Sequence, residues 1–293
     1  MHLAIAGLTI EVTAAPDVTL ALGPSAARFA VEPRTADVSV HASREPLSAD
    51  ISDELIFDSG GLWRLHRNGD GFLFRIFSSA FGPAPYKTAR FANDFTSGTI
   101  ALNAEHFGRN QPVDPLEYPL DELLVINLLG RGRGLEVHGC GVIAADGRGY
   151  LFVGQSGAGK TTMARLWLAD TGTTILSDDR VVLRIEPDGV WMFGTPWHGE
   201  APLASPARVR LSHVFFLQQS LHDRLEPIGA AAAAARLLAS SFPPFHDPSA
   251  MAFSLQFVGE IVNTVSHSVL GFVPGPDVPQ FVRCAGMDRR SQI

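Results

Sequence analysis

The nine residues Gly154-Gln155-Ser156-Gly157-Ala158-Gly159-Lys160-Thr161-Thr162 have the types and order needed to hold a polyphosphate. Glycines let successive backbone N–H groups turn inward around phosphate oxygens, and a helix opening at the end of the loop points its partial positive charge at them. In such a loop Lys160 reaches the β- and γ-phosphates, and the Thr161 hydroxyl sits on Mg²⁺. The apolar run Tyr150–Val153 reads as a buried strand, and Thr162–Leu168 reads as an amphipathic helix. The glycines therefore stand between strand and helix, as a phosphate loop requires.

A phosphate loop names a ligand and leaves the reaction open. Ser177-Asp178-Asp179-Arg180 narrows it, because both carboxylates follow the strand Thr174–Leu176 and lie at its C-terminal end, where open α/β sheets bind ligands. One of the two would coordinate Mg²⁺ and the other would take the proton of an attacking hydroxyl. Arg180 is the nearest cation in sequence to the charge that spreads over a transferred phosphoryl group. In Gly194-Thr195-Pro196-Trp197-His198-Gly199-Glu200, His198 could donate to phosphate oxygens or the acceptor, and Glu200 could bind or orient metal. The same segment also reads as a hairpin loop with a packed Trp197. Arg208 and Arg210 stay unassigned, as solvated residues at a strand entrance. Tyr86 and Lys87 read as strand packing, with an acceptor-binding surface as the alternative.

The elements that must position these residues fall into two halves. From Leu3 to about Leu102 short alternating runs, such as Leu8–Val12 and Ala36–Val40, make a β-rich region. Trp63–Arg67 and Phe72–Phe77 flank Asn68-Gly69-Asp70-Gly71, a hairpin signal because those residues tolerate positive φ. Tyr86–Phe91 and Thr99–Asn103 add two strands. The proline-rich stretch from Phe107 to Pro119 reads as a connector, which places the boundary between 1–118 and 119–293. Beyond it come a helix at Leu120–Leu129 and strands at Leu135–Ala144, Val181–Ile185 and Val214–Leu217. A helix over Ala230–Ala235 and an amphipathic helix over Ala252–Val273 complete an α/β core.

With 293 residues, 46% hydrophobic and 18% charged, the chain can bury a large core. Its net charge of −7 argues against nucleic acid or an acidic membrane as partner. Cys140 and Cys284 have no zinc-site spacing, read as core thiols and suit a reducing compartment. The N-terminal residues lack the pattern of a secretory signal, so the expected location is cytoplasmic.

Taken together, Val137-His138-Gly139, the loop Gly154-x-Ser156-Gly157-x-Gly159-Lys160-Thr161 and Asp178-Asp179-Arg180 resemble HPr kinase/phosphorylase, most densely from Glu136 to Val182. The loop is also similar to that of phosphoenolpyruvate carboxykinases. The resemblance implies an α/β P-loop core of the HPr kinase/phosphoenolpyruvate carboxykinase type preceded by a β-rich N-terminal region. It implies ATP and Mg²⁺ as cofactors, Asp178 as the base on a serine hydroxyl, Asp179 as a metal-side carboxylate and His138 facing the transferred phosphate. The chain departs from HPr kinases after the paired aspartates, where it carries Gly194–Glu200 in place of a Glu-x-Arg-Gly type signature. That segment and Phe57–Trp63 look instead like the HPr-kinase-related proteins of peptide-maturation systems. The implied activity is transfer of a γ-phosphoryl group to Ser or Thr on a peptide or small protein. The alternatives are a small-molecule kinase or phosphorylase, or a nucleotide-sensing adaptor without catalysis. HPr kinases are hexameric, which makes a homo-oligomer a possible state.

Overall fold

The computed structural model describes residues 1–47 and 53–285. The chain divides into two compact units, Met1–Leu128 and Leu129–Ile293. The division falls ten residues after the expected 118/119, because all but the last residue of the helix that follows the connector belongs with the first unit.

The first unit comprises β1 (His2–Ile5), β2 (Leu8–Ala14), β3 (Thr19–Leu20), α1 (Pro24–Ala27), β4 (Val38–Glu45), β5 (Leu55–Asp58), β6 (Trp63–Asn68), β7 (Gly71–Ile76), β8 (Lys87–Phe91), β9 (Ser97–Asn103), β10 (Pro112–Val113) and α2 (Leu120–Leu129). Eight of these strands form one sheet in the order β1-β2-β4-β9-β8-β7-β6-β5. Alternation places the core: Val38, Val40 and Ala42 are buried while Ser39 and His41 between them face out. The hairpin closes with Asn68 opposite Gly71, across a two-residue turn in which Gly69 has φ +58°. Between β2 and β9 the pairing of β4 is parallel on both sides.

Lys87 has no exposed surface, and its Nζ lies 3.3 Å from Glu117 Oε1. Burial pulls its ammonium below the ordinary lysine value, an effect that Glu117 opposes. Tyr86 beside it is buried as well. Both are packing residues of the sheet.

The second unit comprises β11 (Leu135–Ile143), β12 (Gly149–Val153), α3 (Lys160–Leu168), β13 (Thr174–Ser177), β14 (Arg180–Glu186), β15 (Gly189–Gly194), β16 (Arg208–Gln219), β17 (Arg224–Glu226), α4 (Ala230–Ala239), α5 (Pro248–Thr264), β18 (Ser266–Phe272) and α6 (Val278–Ala285). Two long strands each serve two neighbourhoods. The start of β11 pairs with β14, and its end pairs with β12 and β13. The start of β16 pairs with β15, and its remainder lies parallel to both β12 and β18. Strand β12 is buried throughout, which is why it reads as an apolar run, while β18 is buried from Ser268 onward.

Met163, Ala164 and Trp167 of α3 pack with Val278 and Val282 of α6 in one apolar cluster. Leu237 of α4 and Phe257, Val258 and Ile261 of α5 pack in another. The architecture is mixed α/β, with the loop of interest between β12 and α3.

Two expectations are corrected here. The stretch Ala252–Val273 is not one helix: α5 ends at Thr264, and Ser266–Phe272 is a buried parallel strand on β16. A short apolar stretch such as Val269–Phe272 fits either element until its neighbours are known. Cys284 is exposed, so only Cys140 is a core thiol, one whose ionisation burial pushes far up. Arg208 lies on the surface as a partner of Glu186, stacked on Trp191. Among the described residues no helix is long and apolar enough to cross a membrane.

Candidate functional site

Strand β12 delivers the chain into the loop at Gly154, and α3 begins at Lys160. Two loop glycines stand in backbone conformations that side-chain-bearing residues avoid: Gly157 at φ +80° and Gly159 at φ +104°. A Cβ on Gly159 would also lie 2.8 Å from the Phe272 ring. The loop is thus fixed by packing as well as by conformation. Lys160 is 7% exposed, and its Nζ donates to the carbonyls of Gly154 (2.7 Å) and Gln155 (3.1 Å). Burial draws its ammonium below the ordinary lysine value, against the pull of Asp179, so this cation is short of compensating charge. Polyphosphate oxygens would supply that charge. Thr161 and Thr162 follow, both half-buried in the first turn of α3.

The acidic pair occupies the bend between β13 and β14. Ser177 shapes it: its Oγ donates to the Trp197 carbonyl (2.8 Å) and accepts the N–H groups of Asp179 and Arg180. The bend is stitched to β11 by a bond from Gly139 N–H to Asp179 O (3.0 Å), and Gly139 is in turn the register partner of Val153, the last residue before the loop. Two strand spacings, about 10 Å, therefore separate the backbone of the acidic bend from the start of the loop. Lys160 and Asp179 feel each other's charge across this gap.

The two carboxylates have different surroundings. Asp178 is 2% exposed, and its oxygens accept the backbone N–H groups of Gly199 (2.9 Å) and Ala201 (3.3 Å). Asp179 is the accessible one. Its Oδ1 lies 3.0 Å from His138 Nε2, and its Oδ2 accepts a bond of 2.6 Å from Arg180. Burial raises its pKa, yet His138, Arg180 and Lys160 together outweigh this and hold the carboxyl below the usual range. Arg180 also pairs with the fully buried Glu136 (3.3 Å) and stacks over Phe242.

His138 of β11, Lys160 at the start of α3, Asp179 in the bend and Arg180 of β14 thus gather around the loop, and two implied roles meet this geometry differently. The Asp178 carboxylate is buried and engaged by the turn at 199–201, whereas the base that the resemblance implies needs an oxygen open to the acceptor. Arg180 is held by two acids and a ring, so it is not a mobile cation. The turn itself matches the packing alternative in part: Trp197 is buried, while His198 Nδ1 sits 3.0 Å from Gly199 O and Glu200 is exposed.

Among the described residues no three His, Cys, Asp or Glu side chains gather as a metal cluster. Mg²⁺ asks for less, since it keeps several waters and takes one or two carboxylates beside substrate phosphates. Thr161 and Asp179 suit that requirement by type, as does the exposed carboxylate of Glu200.

A cavity of about 570 Å³ opens on Gly154–Ala158 and is walled by the end of β16 and the last turn of α4. Two residues that sequence reading passed over line it. Gln219 donates to the Gly157 carbonyl (3.4 Å), and Arg236 projects from α4. Only a lone cation closing an alanine run could have pointed to Arg236. Ser240, also on the wall, accepts the N–H of His138 (2.7 Å), which joins cavity and acidic bend.

The family model described as SynChlorMet cassette protein ScmC matches residues 121–251. No curated protein matches the chain. The matched stretch takes in His138, the glycine loop, the acidic bend, the 194–200 turn and Arg236, so this chain is similar to that cassette protein through the parts that build the candidate site.

Proposed function

We propose that this chain is an ATP- and Mg²⁺-dependent kinase with a P-loop core of the HPr kinase type, transferring the γ-phosphoryl group to a Ser or Thr hydroxyl on a peptide or small protein. The observation that carries the reading is the adjacency of a strand-loop-helix phosphate cradle, with its charge-starved Lys160, to the ionised Asp179 in the bend between β13 and β14. Similarity to a cassette protein supports an acceptor made alongside the kinase, and two cysteines without a disulfide agree with a cytoplasmic setting.

In this reaction the loop amides and Lys160 hold the phosphates and the helix dipole favours their charge. Bound Mg²⁺, on Thr161 and Asp179, would offset charge on the β- and γ-oxygens. His138 orients Asp179 through their hydrogen bond. The acceptor oxygen bonds to the terminal phosphorus as the bridge to the β-phosphate breaks, and the hydroxyl proton passes to a carboxylate. Asp178 can take that proton only when the 199–201 turn releases it, so closure over substrate must include this turn.

The test is incubation with γ-labelled ATP, Mg²⁺ and candidate precursor peptides, with mapping of any labelled residue. Label on a serine or threonine, lost in Lys160→Ala, is the expected result. Label on a metabolite would identify a small-molecule kinase. The occupied carboxylate of Asp178 favours a second reading, a nucleotide-binding adaptor without catalysis. Tight ATP binding with no transfer to any acceptor would select it.

A further inference from the structure

The cavity beside the loop holds a cation that the reaction outlined above has not used. Arg236 lies in the last turn of α4, is exposed, and lines the same hollow as Gly154–Ala158. Among the described residues it forms no ion pair. The other arginine of the site is fully committed, since Arg180 is bound to Asp179 and Glu136. Lys160 serves the loop from below, through the carbonyls of Gly154 and Gln155. Arg236 therefore lines the hollow over the cradle as a guanidinium available to an anion.

Its neighbour Ser240 fixes which end of a bound nucleotide would meet it. Ser240 O accepts the His138 N–H, and His138 holds Asp179, so the Arg236 wall is tied to the side on which the acidic pair lies. The reacting phosphorus must face the acids. A second hollow, of about 390 Å³ at Thr162, Arg165 and Pro274–Pro276, lies beyond α3 and offers room for the other end.

We infer that Arg236 is the positioning cation for the terminal phosphate of a nucleoside triphosphate, and the residue by which this site tells a triphosphate from a diphosphate. A guanidinium suits the task, because its planar fork can bond two phosphate oxygens at once. The inference rests on the nucleotide-binding reading, and the two fail differently.

The experiment is titration of ATP and of ADP, each with Mg²⁺, into the full chain and into Arg236→Ala, Arg236→Lys and Lys160→Ala, with circular dichroism to confirm folding. Arg236→Ala should weaken ATP by about 10-fold or more, the size expected for a lost charged hydrogen bond, and leave ADP within about 2-fold. Arg236→Lys should recover part of the ATP preference. Equal loss of ATP and ADP in Arg236→Ala, or no loss of either, overturns the assignment while leaving the loop reading intact. Failure of the unmodified chain to bind either nucleotide, or binding indifferent to Lys160→Ala, overturns both.

Discussion

Asp179 carries its charge against the cost of burial because His138, Arg180 and Lys160 surround it. Its carboxyl is held below the ordinary aspartate value, so as the medium is acidified the unfolded chain takes up the proton before the native one does. The contribution is fully present above the unfolded value and disappears as pH falls through the native value. Urea midpoints measured between pH 6 and pH 2.5 should therefore fall less steeply below pH 4 for Asp179→Asn than for the unmodified chain. Lys160 offers a second check. Lys160→Ala should abolish transfer with the far-ultraviolet spectrum unchanged, and loss of the spectrum would mean that the lysine is structural. The residues of loop and acidic bend were legible because each lies within nine consecutive positions, and local chemistry explains them. The fate of Asp178 was not, since the amides that engage it come from 21 and 23 residues away. Arg180 escaped for a similar reason: Glu136 and Phe242 reach it only through the β11–β14 pairing and the chain beyond α4.

At the level of elements, the site depends on close backbone approaches that only glycine permits. A Cβ on Gly194, the last residue of β15, would lie 1.9 Å from Ser205 O and 2.8 Å from Leu176 O. Both obstacles are backbone, so Gly194→Ala should destabilise the second unit by about 3 kcal/mol, at the upper end for overpacking, and thermal melting would show it. Gly199→Ala should act otherwise. Its Cβ would press on Asp178 Oδ2 at 3.0 Å and on Asp179 Cβ at 3.4 Å, which disturbs the acidic bend while the strands remain. The expected outcome is lower phosphoryl transfer at nearly unchanged melting temperature. In the first unit, Glu117→Ala would strand the buried Lys87. We expect a loss of about 1 to 3 kcal/mol, below the range for a fully buried pair because Glu117 is 44% exposed. Strand-loop-helix order and the Asn68–Gly71 hairpin could be read from period and turn residues. The parallel pairing of β4 and the strand β18 could not, because such pairings are set by partners far along the chain.

The molecule as a whole carries two separately packed units, each with its own large sheet. Nucleotide bound to the loop belongs wholly to the second. At a concentration about 100 times the dissociation constant, linkage adds about 2.7 kcal/mol to whatever unfolds together with the site. Hydrogen exchange should show that gain in β11, β12 and β16 and not in β2, β4 and β9. An equal gain in both sets would mean that the units open as one cooperative body. Only the existence of a β-rich half and an α/β half was visible in the sequence. The position of the seam was not, because α2 is buried on nearly every side and its pattern does not reveal which unit it joins.

The bond from His138 N–H to the Ser240 carbonyl anchors the end of α4 to β11, the strand bearing the imidazole partner of Asp179. A pull on that helix, from a guest in the hollow or from a neighbouring protein gripping its outer face, would be transmitted through one peptide group to the imidazole that aims Asp179. On the proposed reading, filling the hollow and aiming the acid would thereby be coupled through a single peptide group.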